Sequence, residues 1–205
     1  MNNVEVNIAL SLEGRKQLVP TEKPVLFLAG PIRNAPRWHY DAIRQVIETD
    51  MEVFVAAPIR DVPEDIRPFV FCDSDKIPTV SRQRKWELYY LAQARIMGCV
   101  IFWLSNESPV KEHPDKVYAH ITMLELGTAL AIRKQYGSLF NLVIGVDTKF
   151  PEWETIKMDI DELPTEYTSY YLDGPVTTQI PPVPVCHTLE DTISTALNLI
   201  RKYGK

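Results

Sequence analysis

The chain has 205 residues, 45% apolar and 24% charged, the proportions of an ordinary globular protein with one sizeable core. A formal net charge of −5 without any Lys/Arg-rich run argues against a general nucleic-acid-binding surface, while local arginines can still meet a small anionic substrate. No apolar run nears the ~20 residues that span a bilayer, and Met1-Asn2-Asn3-Val4-Glu5 lacks the basic-then-apolar order of a signal peptide, so a reduced, cytoplasmic protein with no membrane partner is expected.

The first strong element is the apolar strand Val25–Ala29, which breaks abruptly at Gly30-Pro31. Tyr40, Ile43 and Ile47 then share one face of a helix that Glu48 and Asp50 bring to an end. A strand over 52–57 leads into a long connection, 58–80, carrying Pro58, Pro63, Pro68 and Pro78. Trp86, Tyr89, Tyr90 and Ala94 mark a second helix, followed by a strand over 99–104 and a second long, charged connection over 105–121. Met123, Leu126, Leu130 and Ile132 belong to a third helix, predicted to be buried, and 142–146 to the next strand. The Pro-rich stretch 175–184 reads as a stiff surface crossing that runs into a weak strand at 183–186. Leu189, Ile193, Leu197 and Ile200 form an apolar stripe on a last helix over about 188–202, with Thr188 as its N-cap before Glu190 and Asp191. Strand and helix in alternation predict an α/β fold, a mostly parallel five-stranded sheet covered on both faces, in one domain over 1–205. Both long connections follow strands, so they belong above the carboxyl edge of the sheet, where such folds bind ligands.

Glu125 stands inside the otherwise apolar run Thr122-Met123-Leu124-Glu125-Leu126-Gly127. A carboxylate there can attack an anomeric carbon and form a glycosyl ester; the alternative is a Glu held by Arg133, Arg95 or another cation at the sheet edge. Glu87, at the opening of the second helix behind Trp86, can orient a sugar hydroxyl or exchange a proton with a leaving base, or be a first-turn Glu favoured by the helix dipole. Gly30-Pro31-Ile32-Arg33 offers backbone N–H groups and a guanidinium at a strand end. Trp38 suits stacking on a base or sugar face, or packing beneath a loop. His39, His113, His120 and His187 have no paired metal spacing, and Asp73-Ser74-Asp75 reads as turn chemistry, so no metal is expected. No GxGxxG, GxxxxGK[ST] or GxSxG motif occurs, and no cofactor is expected. Cys72, Cys99 and Cys186 form no CxxC pair, and Cys99 reads as a small buried hydrophobe.

Three segments in order, Phe27-Leu28-Ala29-Gly30-Pro31 with Trp38 downstream, Gln83 and Trp86-Glu87 leading into Ile101-Phe102-Trp103-Leu104, and Leu124-Glu125-Leu126-Gly127, resemble the nucleoside 2-deoxyribosyltransferase-like family. The similarity covers roughly residues 24–147. It implies a Rossmann-like, flavodoxin-type three-layer fold with Glu125 as the nucleophile that takes the sugar C1′, and Glu87 beside it. Ala29, Gly30, Pro31, Arg33, Trp38, Trp86 and Asn106 make up the expected substrate-binding set. The implied activity is cleavage or transfer at the N-glycosidic bond of a nucleoside or nucleoside 5′-monophosphate, by a homo-oligomer. Arg33, Arg37, Arg82 and Arg84 near the mouth favour a phosphorylated substrate. The connection over 105–121 is longer than the family's, which leaves Glu107, Glu112, Asp115 and His120 as candidates for the leaving-group acid. The alternatives are a non-catalytic nucleotide-binding domain and cleavage of NAD at its nicotinamide bond.

Overall fold

Four runs of the chain are so apolar that their strands are buried over all or nearly all of their length, as strands covered on both faces must be. In the computed structural model, which describes residues 4–8, 21–59, 62–70, 80–171 and 174–203, these are β2 (Val25–Ala29), β3 (Val53–Ala57), β4 (Gly98–Leu104) and β5 (Leu142–Val146). Together with β1 (Val4–Ile8) and the short β8 (Val185–Cys186) they form a six-stranded sheet in the order β1-β3-β2-β4-β5-β8, every pairing parallel. Within it, β3-β2-β4-β5-β8 is the doubly wound, flavodoxin-type order, so the fold class is as predicted. The strand count is not. The sixth strand is β1, whose short Val-Glu-Val-Asn-Ile run carries a weak signal beside the longer ones.

Alternate side chains of each strand supply two cores. Val25, Phe27, Phe54, Val100 and Phe102 pack beneath α2 (Val80–Met97), α3 (His120–Tyr136) and α4 (Trp153–Asp161). Leu26, Leu28, Val55, Ile101 and Val143 pack beneath α1 (Trp38–Ile47) and α5 (Leu189–Tyr203). α5 matches its reading closely: Ile193, Leu197 and Ile200 are buried, and Thr188 Oγ1 accepts the Asp191 backbone N–H at 3.0 Å. Burial pushes the Cys99 thiol well above its ordinary range, as suits an inert core residue.

Other expectations need correction. α3 is not buried all round: Leu126, Ala129 and Leu130 face the core, while Ile121 is 50% and Leu124 65% exposed. The stretch read as a surface crossing begins in a hairpin, β6 (Glu166–Tyr171) pairing antiparallel with β7 (Gly174–Gln179), where Pro175 sits at the strand start and so removes no central ladder bond. α4, with Ile156 and Ile160 one turn apart on the core side, also escaped the reading. Cys72, Asp73, Asp75, Pro78 and the side chain of Arg82 lie outside the described residues. No helix among the described residues is long and apolar enough to cross a membrane.

Candidate active site

The strand order reverses between β2 and β4, and the chain leaves β2 for one layer and β4 for the other. That divergence opens a crevice at the carboxyl ends. Here Gly30 turns the chain so tightly that a Cβ on it would collide with the Trp103 carbonyl and the Trp38 ring. A cavity of about 620 Å³ opens at this point, lined by Ala29 at the end of β2 and by Gly30, Pro31, Arg33 and Arg37 from the connection after it. Gln83, Arg84 and Glu87 line it from α2, His120, Thr122, Leu124 and Glu125 from α3, and Glu112, His113 and Lys116 from the connection after β4.

The two expected carboxylates meet inside it. Glu87 is the eighth residue of α2 and Glu125 the sixth of α3, both beyond the first turn where the helix dipole acts. The dipole reading of either acid is therefore replaced by direct pairing. Arg84 Nη1 donates to Glu87 Oε2 at 3.2 Å and also to Glu125 Oε1. Gln83 Nε2 donates to the other Glu87 oxygen at 2.9 Å, one helical turn apart. The side chains of Glu87 and Glu125 are only 16% and 17% exposed, so their charge is felt through a partly dry medium. Burial raises the Glu125 pKa above the usual carboxyl range; Arg84 opposes that rise, and Glu87 adds to it. Burial alone would lower the Arg84 pKa, but the two carboxylates outweigh it and raise it instead. Neither Arg133 nor Arg95 is the cation that holds Glu125. Arg133 spends its guanidinium on the carbonyls of Gly137, Phe140 and Pro181.

The remaining expected residues divide by position. Ala29, Gly30, Pro31 and Arg33 line the cavity, Arg33 as an exposed side chain. Trp38 lies buried behind it, its Nε1–H donated to the Pro31 carbonyl at 2.9 Å and its ring stacked on His39. Trp86 is fully buried, donating to Asn7 Oδ1 at 3.1 Å. Both indoles therefore shape the wall from the back. Asn106 is half-buried just beyond β4, outside the lining. Of the leaving-group candidates, Glu112 and His120 line the cavity; Glu107 pairs with Lys111 at 2.9 Å and Asp115 with Lys116 at 3.2 Å.

Two residues at the cavity wall, His39 in the lining and Asn34 behind it, carried no signal that spacing could show. His39 is 2% exposed, and burial drives its pKa from 6.5 down to about 3, so its imidazole stays neutral. Asn34 is buried behind the connection in the left-handed conformation (φ 57°) that Asn tolerates better than most residues. Its amide donates to the His113 carbonyl and accepts the His113 N–H, both at 2.9 Å, while its own carbonyl accepts the Ser108 N–H at 2.6 Å. The two connections are thereby fastened together over the cavity. Tyr118 donates to the Ser105 carbonyl and lies 3.2 Å from the Ser105 hydroxyl; burial, only partly offset by that hydroxyl, pushes its pKa up to about 12.

No family model matches the chain, and no curated protein matches it significantly.

Proposed function

We propose that the protein cleaves or transfers at the N-glycosidic bond of a nucleoside or nucleoside 5′-monophosphate, with Glu125 as nucleophile. The observation that carries this reading is the pair of carboxylates, Glu87 and Glu125, sharing Arg84 within a 620 Å³ cavity at the switch point of the sheet. A Glu125 oxygen attacks C1′; the bond from C1′ to the base nitrogen breaks, and its electron pair leaves with the base. The departing nitrogen takes a proton from Glu112, His120 or a water molecule, and the sugar stays on Glu125 as an ester. Water or a second base then attacks C1′ and frees the carboxylate. Glu87, held by Gln83 and Arg84, is placed to orient the sugar hydroxyls. Arg33, Arg37 and Lys116 supply cationic groups for a 5′-phosphate. We assign the work to the cytoplasm, in keeping with the free thiols of Cys99 and Cys186, and to a homo-oligomer, in keeping with the apolar side chains left exposed on α2 and α3.

The test is incubation with a panel of nucleosides, their 5′-monophosphates and NAD, alongside Glu125→Ala, with free base read by chromatography. Release that needs Glu125 supports the reading, and dependence on an added acceptor base separates transfer from hydrolysis. A folded Glu125→Ala protein with full activity refutes it. Ligand-induced thermal stabilisation without release from any compound points to a binding domain instead.

A further inference from the structure

We infer that Arg84 is a positioning residue that keeps Glu125 ionised and aimed, and that it passes to Glu87 while the sugar occupies Glu125; the second half rests on the function proposed above. A single guanidinium nitrogen, Nη1, touches both carboxylates, one from its own helix three residues on and one from the neighbouring helix 41 residues away. Without that cation two carboxylates, each mostly withdrawn from water, would face one another, and one of them would have to take up a proton. A protonated Glu125 lacks the negative charge that makes its oxygen a nucleophile towards C1′.

The same geometry carries the charge through the cycle. When a Glu125 oxygen bonds to C1′ and the base leaves with the electrons of the broken bond, the new ester is neutral. Arg84 then has Glu87 as its remaining carboxylate, already at 3.2 Å, so the cation keeps a partner. Attack of water or a base on C1′ breaks the ester bond, returns the electron pair to the Glu125 oxygen and restores the original pair. Arg84 is itself 41% exposed on the cavity side, so it can follow this shift by a side-chain rotation alone.

Other titratable groups share the cavity with Glu125: Arg33 and Arg37 from the connection after β2, neutral His39 on α1, Glu112, His113 and Lys116 from the connection after β4, and His120 on α3 itself. All of them stay in place when Arg84 alone is changed, so a change in Glu125 titration reports on Arg84.

The experiment is a pH titration of the full chain labelled with carboxyl-13C glutamate, the Glu125 signal being identified by its loss in Glu125→Gln. The titration is repeated in Arg84→Met and Arg84→Lys. The expected result is a midpoint for Glu125 about 1–3 pH units higher in Arg84→Met, with most of the rise reversed in Arg84→Lys. The acid limb of base release should move by the same amount, in kcat more than in KM. An unchanged midpoint in a folded Arg84→Met protein overturns the inference whatever the activity. A shifted midpoint with an unmoved acid limb overturns the catalytic half of it. A shifted midpoint in a protein whose wild type releases no base overturns the functional reading and leaves the ionising role of Arg84 standing.

Discussion

His39 lies against Trp38 on the inner side of the cavity wall, fully shielded and neutral. Its folded pKa, about 3, lies below the 6.5 of the unfolded chain. As pH falls below 6.5 the unfolded chain therefore takes up a proton that the folded one refuses. The stabilisation is complete above that pH and is lost progressively towards 3, at up to about 1.4 kcal/mol per pH unit. His39→Phe should flatten this dependence, and urea unfolding at pH 7, 5.5 and 4.5 measures it; parallel slopes for the two proteins would contradict the assignment. Glu125 was legible because a carboxylate in an apolar run asks for an explanation. Its partner was not, because Arg84 stands 41 residues away and only the packing of α2 beside α3 brings them together. The two tryptophans show the converse: an aromatic beside a motif is as able to build a wall as to face a ligand, and a ring N–H already bonded to Pro31 or Asn7 decides which.

Between elements, small polar groups set the geometry. Asn7 on β1 donates to the Tyr90 hydroxyl and accepts from Trp86 Nε1, both at 3.1 Å, fixing the register of an edge strand against α2. Asn7→Leu leaves the indole N–H and the phenol buried without this partner, at about 1–3 kcal/mol for each group. The expected loss in urea unfolding is thus larger than for an apolar truncation elsewhere on β1, such as Val4→Ala. Asn34 does comparable work between the two connections. Asn34→Gly retains the left-handed backbone but removes both side-chain bonds to His113, so the amide of His113 should exchange with solvent at least tenfold faster while α1 and α5 keep their protection. Unchanged exchange at His113 would show that the cover is held by something else. Neither role follows from sequence, since an Asn in a loop or strand announces nothing about the carbonyl 79 residues on, or the hydroxyl 83 residues on, that it will meet. The long helices and buried strands were legible for the opposite reason: their signal is repeated over many residues. β1, α4 and the β6–β7 hairpin are short or polar, and each depends on the rest of the fold for its stability.

For the molecule as a whole, the parallel order followed from the alternation of strand and helix, and the position of the site followed from the order. The exposed apolar side chains of α2 and α3 show what such patterning leaves open. Leu88 and Ile96 on α2, with Ile121 and Leu124 on α3, are all at least half exposed, on the same two helices that carry Arg84, Glu87 and Glu125. If these helices meet a second copy, Ile96→Glu should lower the sedimentation coefficient to that of a 23.5 kDa monomer without loss of secondary structure. A wild-type chain that already sediments as a monomer at the same concentrations would refute the assembly.

β1 has a further consequence, for the order in which the fold comes together. It pairs with β3 along its length, and on its other side Val6 forms a parallel bridge with Val70. Both partners lie far downstream, so during synthesis this strand leaves the ribosome tens of residues before either is available. It must wait, uncommitted, while β2 and the local helices collapse, and it is then enclosed as the segment after β3 closes over it. Such late, non-local strand addition slows folding, and it makes β1, upstream of both its partners, among the last strands to be secured.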